Sequence, residues 1–391
     1  MSAKTKEDLM IITSYFPPEI GAASNRIFHL ADGLKNSYNV HVVTPLPNYP
    51  TGKIFKDYKG KFKAKSEENG IIISRIWLYA SKSKNKFLRL FAMLSYSFSL
   101  MWFFMWNRIP KKVIIQSPPL LVAFTCVFFL RSKKRKVILN VSDLWPSAGY
   151  ELGALKLNFS YRLLQKLEAF NYKNADLILG QSNEILAHIK SITKKPELFL
   201  YRNFPDIEFK ELNESSSGTN RLKIVYAGLL GVAQGILKMC QNLNYEGIEL
   251  HIYGSGAEEE ALQSFIAINK ELPIVFHGRV DRSELHKELL KYDLAIIPLL
   301  NRIYGSVPSK IFEYAKLGLP MLYFGGGEGE TVITDHQLGW VAGATNYEQL
   351  NTTIKSIDRS QINLQMKERI QKTAYENFDF GVQLKSLQTV L

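Results

Sequence analysis

Short runs of Val, Ile and Leu, closed by turn residues, recur along the whole chain with amphipathic stretches between them. That alternation restricts the fold more than any other feature of the sequence. Apolar runs of five or six residues with no polar face suit strands buried on both sides of a parallel sheet, and the stretches between them supply the covering helices. In the first half, strands are expected at Leu9–Thr13, Val40–Thr44, Ile71–Ile76, Val113–Ser117, Val137–Val141 and Leu177–Gly180. In the second they fall at Leu222–Ala227, Ile248–Tyr253, Ile274–His277, Leu294–Pro298 and Pro320–Phe324. Helical spacing fits Ser24–Asn36, Tyr161–Tyr172, Ala257–Ile268, Arg282–Lys291 and Ser309–Leu317.

At 391 residues the chain is too long for one core, so two doubly wound α/β domains facing across a cleft are expected. The polar, aperiodic stretch Glu211–Asn220 reads as the join. This gives an N-terminal domain over 1–210 and a C-terminal domain over 221–373, with a last helix near 374–391 packing back on the first. Ligands bind beyond the carboxyl ends of such strands.

Cys126 and Cys240 are the two cysteines, so a disulfide framework and a cysteine-based metal site are excluded, and a reducing compartment is expected. Met1–Leu9 lacks the long apolar core of a signal peptide, which reads as a cytoplasmic start. The net charge is +13, with the basic excess in the first half, so that half is expected to meet something anionic. Phe87–Trp106 is rich in Phe, Leu, Met, Tyr and Trp, carries Arg89 as its one charge, and is flanked by Lys82, Lys84, Lys86, Arg108, Lys111 and Lys112. It reads as a spanning helix, a buried core helix, or a helix lying in a membrane interface. The basic flanks and the later Arg131–Lys136 cluster favour the interface. The aromatics form one block rather than interleaving with basic residues, which argues against nucleic acid.

The chemistry is concentrated near Ser306–Pro320. Pro308 suits the first turn of a helix, which leaves Ser309 and Lys310 at its positive end, where a diphosphate binds well. Glu313, one turn on, can accept hydrogen bonds from ribose hydroxyls. The loop after the next strand, Phe324-Gly-Gly-Gly-Glu-Gly-Glu330, offers backbone donors at Gly326 and Gly327, with Glu328 or Glu330 able to reach sugar hydroxyls. Tyr253-Gly-Ser-Gly256 is either a plain turn or a contact to a base. His29, His41 and His188 show no ligand spacing, and no metal site is expected.

Taken together, Tyr15-Phe-Pro-Pro-Glu-Ile-Gly-Ala-Ala, Pro47-Asn-Tyr-Pro-Thr-Gly52, Ser117-Pro-Pro119, Asp143-Leu-Trp-Pro146, Tyr226–Gly235 and Val307-Pro-Ser-Lys-Ile-Phe-Glu-Tyr314 resemble family 4 glycosyltransferases. The branch they resemble builds bacterial O-antigen and capsule sugars and includes L-N-acetylfucosamine transferases. The resemblance implies a GT-B fold and a retaining transfer from a nucleotide-sugar, usually UDP-linked, bound in the C-terminal domain. With the basic, aromatic N-terminal domain, it also implies a polyprenyl-diphosphate-linked acceptor at the inner face of the cytoplasmic membrane. By position, Glu313 resembles the family's ribose-binding glutamate and Glu330 its post-glycine glutamate. Gly305 stands where relatives often carry another glutamate, and Gly228–Gly235 lacks the usual cations, which leaves Lys310, with Arg302, to supply the charge. Asp143 is the candidate base, with the leaving phosphate as its rival, and Asp143-Leu-Trp-Pro reads equally as a structural turn. Gly21 closes a strand-end loop suited to phosphate or acceptor. The resemblance implies a hexosyl or N-acetylhexosaminyl transferase, and because no Asp-x-Asp motif occurs, one working without metal or other cofactor is expected. A catalytically weak GT-B scaffold that recruits a partner enzyme, and a UDP-sugar 2-epimerase, are the alternatives.

Overall fold

A computed structural model describes residues 6–83, 85–207, 212, 221–301 and 303–391. The chain forms two units, Met1–Asn203 with Gly381–Leu391, and Phe204–Phe380. The first boundary lies before the expected 210, and the helix Leu364–Asn377 belongs to the second unit, so only the Phe380–Val390 helix returns to the first. Apart from Leu212, the expected join at 211–220 lies outside the described residues.

The strands of unit 1 are β1 (Glu7–Ile12), β2 (Tyr38–Pro45), β3 (Lys63–Glu68), β4 (Ile71–Ile76), β5 (Lys112–Ser117), β6 (Lys136–Val141), β7 (Leu177–Gly180) and β8 (Glu197–Leu200). They stand in the order β3-β4-β2-β1-β5-β6-β7-β8, parallel except for β3, which runs antiparallel to β4. Unit 2 holds β9 (Leu222–Ala227), β10 (Ile248–Tyr253), β11 (Ile274–Gly278), β12 (Leu294–Pro298), β13 (Met321–Gly325) and β14 (Gly339–Gly343). Its order is β11-β10-β9-β12-β13-β14, all parallel, which is the arrangement of a dinucleotide-binding sheet.

The expected doubly wound architecture is therefore present in each unit. The central strands β5, β6, β9 and β12 are buried nearly end to end because helices cover both faces. β3 escaped the sequence reading because Lys-Ala-Lys-Ser-Glu-Glu has no apolar run; its charges suit an exposed edge. The helix Leu120–Leu130 escaped for the opposite reason. It is apolar all round and so shows no helical period.

Phe87–Trp106 forms the helix Lys86–Trp106. No helix among the described residues is long and apolar enough to cross a membrane. The core reading holds for one of its faces, and the other is exposed. Tyr96, Leu100 and Phe103 pack into the unit 1 core, and the Tyr96 hydroxyl donates to the Thr13 carbonyl at 2.7 Å. Phe87, Phe91, Leu94, Phe98, Trp102 and Met105, spaced by three or four residues, form an exposed stripe; Phe87 is 81% and Met105 72% accessible.

Candidate functional site

In unit 2 the strand order reverses between β9 and β12, the point at which such sheets bind ligands. Gly228 follows β9, and Lys310 opens the helix Lys310–Lys316 that follows β12. The Lys310 ammonium sits 4.6 Å from the centre of the Tyr226 ring, and the Tyr226 hydroxyl donates to the Leu229 carbonyl at 2.6 Å. A Cβ on Gly228 would lie 1.8 Å from Lys310 Nζ and 2.8 Å from its Cε. Glycine there is a space requirement, because the lysine crosses directly over the loop.

Tyr253-Gly-Ser-Gly256 supports the same loop. Gly228 donates to the Tyr253 carbonyl at 2.9 Å and Leu230 to that of Ser255 at 3.0 Å. A Cβ on Gly254 would meet the Gly228 carbonyl oxygen at 1.8 Å, and one on Gly256 the Leu230 oxygen at 2.4 Å. Close backbone approach accounts for both glycines.

Burial pulls the Lys310 ammonium down to about 8, against the attraction of Glu313. Lys310 makes no ion pair within 4 Å among the described residues. Glu313 Oε1 accepts from His286 Nε2 at 2.6 Å and from Arg282 at 3.4 Å. Burial acts to raise that carboxyl. The hydrogen bond from His286, with the charges of Arg282, His286 and Lys310, nevertheless holds it below the usual carboxylate range. The sequence reading missed His286 and Arg282. They lie on the helix Arg282–Leu289, and their one sequence signal is the i, i+4 spacing that places both on one face.

Ser309 precedes the Lys310–Lys316 helix with its hydroxyl making no capping bond, while its carbonyl accepts from the Glu313 amide at 3.1 Å. Lys310, Glu313, Ser309 and Gly228 are thus brought to one sheet end. Arg302 lies outside the described residues. In the glycine loop, Gly325 and Gly329 are packing positions, each with a would-be Cβ 2.7 Å from Tyr323 Cζ. Gly326 faces open space and Gly327 takes a positive φ of 77° before the helix Glu328–Asp335. Glu328 is buried and Glu330 exposed.

In unit 1 the strand order reverses between β1 and β5. The loop after β1 is locked from inside, since the buried Glu19 carboxylate accepts from the Asn48 and Tyr49 amides at 2.7 and 2.8 Å. Buried Arg75 donates to the Pro17 carbonyl at 2.8 Å. Two of the sequence motifs therefore meet here. Gly21 begins the Ala22–Leu34 helix in this loop, where a Cβ would press Tyr49 at 3.3 Å.

Asp143 leaves β6 between buried Leu144 and a polar ladder in which Asn140 donates to Gln116 Oε1 at 2.9 Å and Gln116 donates to Ser142 Oγ at 3.0 Å. These polar residues inside apolar strands were the overlooked signal. Burial raises the Asp143 carboxyl, opposed by Arg26 and a hydrogen bond from Ser142. Arg26 Nε is buried with no hydrogen-bond partner. Asp143-Leu-Trp-Pro is both a turn and the carrier of a carboxylate that faces a buried cation. His41 bonds Ser74 at 2.8 Å and His188 bonds buried Glu168 at 2.9 Å, so both serve packing.

Residues 221–358 match the family model described as group 1 glycosyl transferases. The probable glycosyltransferase WbjE of Pseudomonas aeruginosa is 23% identical over 229 residues, covering 52% of this chain and 55% of that protein. The chain thus spans about half the length of that curated relative. Among solved structures, sucrose-phosphate synthase of Thermosynechococcus elongatus superimposes with a TM-score of 0.73 at 10% identity, over 98% of both chains. The lipopolysaccharide outer core galactosyltransferase WaaB gives 0.67 at 14%, also over 98% of both. Anabaena HepE in complex with UDP gives 0.66 at 10%, over 98% of this chain and 99% of its own. The fold is the two-unit GT-B fold.

Proposed function

We propose that this chain is a retaining glycosyltransferase that moves a hexosyl or N-acetylhexosaminyl group from a UDP-sugar onto a polyprenyl-diphosphate-linked acceptor. The setting is bacterial surface-polysaccharide synthesis at the inner face of the cytoplasmic membrane, with no metal or other cofactor. One observation carries the reading. Lys310 is desolvated at the sheet's switch point with no ion-paired carboxylate among the described residues, and a charge held that way is costly unless a ligand completes it. A diphosphate is the complement, with Glu313 on the ribose and the Gly326–Gly327 backbone beside the donor. The group 1 match over this unit and the UDP held by HepE support the donor class.

In the reaction, the bond between the anomeric carbon and the diphosphate oxygen breaks and its electron pair leaves with UDP. Lys310 stabilises that charge without reorganising. The acceptor oxygen bonds to the same face of the sugar, and its proton passes to a base, for which Asp143 and the leaving phosphate oxygen are the candidates. Isothermal titration with UDP, with and without EDTA, tests the donor half. Binding that ignores the chelator and weakens in Glu313→Ala and Lys310→Ala is expected; a folded wild type that binds no UDP overturns the reading.

The acceptor half rests on the exposed apolar stripe of the Lys86–Trp106 helix, with exposed Phe128 and Phe129 and the exposed basic residues Lys82, Arg108, Lys111, Arg131, Lys133 and Lys134. An apolar face bordered by cations suits an anionic bilayer surface. Replacing Phe91, Phe98 and Trp102 together with glutamate is expected to cut sedimentation with phosphatidylglycerol vesicles by at least about tenfold. UDP affinity should be unchanged. Undiminished vesicle binding would remove this surface from the proposal.

A further inference from the structure

Glu313 does not stand alone at the switch point. Its Oε1 is held by His286 Nε2 at 2.6 Å, with Arg282 further off at 3.4 Å. No described residue is recorded on Oε2. His286 is nearly buried, whereas Arg282 is about half exposed, so the short, desolvated contact is the histidine's.

We infer that His286 is a positioning residue that fixes Glu313 for the ribose hydroxyls, and so makes this site select ribose over deoxyribose. The inference rests on the reading of unit 2 as a nucleotide site. A ribose presents two neighbouring hydroxyl donors, and a carboxylate receives both only if its free oxygen is aimed at them. An unrestrained glutamate would lose side-chain freedom at each binding event. Here the histidine removes that freedom beforehand. It must donate from Nε2 to a carboxylate that accepts only, which occupies Oε1 and leaves Oε2 for the ligand. Arg282 adds charge from the rim without the geometric restraint.

The test is titration calorimetry with UDP, 2′-deoxy-UDP and inorganic pyrophosphate on wild type, His286→Leu, His286→Gln and Arg282→Ala. Wild type is expected to bind UDP about tenfold more tightly than 2′-deoxy-UDP, the value of one lost hydrogen bond to a charged group. His286→Leu should lose about that factor for UDP, less for 2′-deoxy-UDP, which keeps only its 3′-hydroxyl for Glu313, and nothing for pyrophosphate, so discrimination narrows. His286→Gln, whose amide nitrogen can donate from the place of Nε2, should restore most of it. Arg282→Ala should keep it. The inference is overturned if His286→Leu weakens all three ligands alike, or if it discriminates between the two nucleotides as strongly as wild type does. A wild type that binds pyrophosphate but neither nucleotide would instead sink the nucleotide reading, which separates the two failures.

Discussion

Lys310→Ala is expected to lower turnover of a UDP-sugar by about 10²–10³-fold, the usual effect of deleting one preorganised group that faces developing negative charge. The loss should lie in kcat as well as in donor affinity, because the diphosphate gains charge as the glycosidic bond breaks. The pH dependence gives a sharper signature. Burial brings the lysine down to about 8, so the free site holds a charged lysine below that pH and increasingly a neutral one above it. A lysine whose folded value lies below its unfolded one weighs against the fold while charged. That penalty is present below about 8 and is relieved as the pH rises towards the ordinary lysine range. Donor binding runs the other way. It needs the ammonium, so UDP affinity should fall by up to about tenfold per pH unit once the pH exceeds the free-site value of about 8, until the higher bound-state value is passed. The nucleotide's last phosphate ionisation, near pH 6, is complete by then. Calorimetry near pH 8.5 in buffers of differing ionisation enthalpy should therefore report proton uptake on UDP binding. Lys310→Ala should abolish that uptake, and Lys310→Arg should flatten the pH profile. An unchanged uptake in the alanine variant would remove Lys310 from the site.

The second large effect belongs to a residue with no side chain. Gly228→Ala would place a Cβ 1.8 Å from Lys310 Nζ and 3.2 Å from the Tyr226 hydroxyl oxygen. The far end of a lysine can move, so the protein should fold, with a lowered melting temperature because the Gly228 φ of 158° strains a side chain there. The ammonium, however, would leave its place over Tyr226. Donor affinity is expected to drop about as far as in Lys310→Ala, with the double variant no worse than either single one, since both changes remove one interaction. Melting curves and UDP titrations on the three variants check this; additive losses would mean that the glycine acts independently of the lysine.

The βα alternation of the chain determined a great deal. Apolar runs such as Val113–Ser117 and Leu294–Pro298 are buried on both faces, and only a helix-covered parallel sheet satisfies them, so two doubly wound units could be read without coordinates. The Pro-Ser-Lys–Glu313 segment was legible as well, because a helix start following a strand places its residues through local geometry alone. The partners of those residues were not. His286 meets Glu313 across 27 positions of chain, Arg26 faces Asp143 from the distant Ala22–Leu34 helix, and the Tyr253-Gly-Ser-Gly256 loop lies under Gly228. None of these pairs shares a period or a spacing, since each arises where the sheet order brings distant loop ends together. The Lys86–Trp106 helix shows the same division. Its composition revealed an apolar helix, but only packing decided that Tyr96, Leu100 and Phe103 enter the core while Phe91, Phe98 and Trp102 face outward. Sequence fixes what a segment can bury by the local order of its side chains, whereas which face is buried depends on the neighbours that the topology supplies.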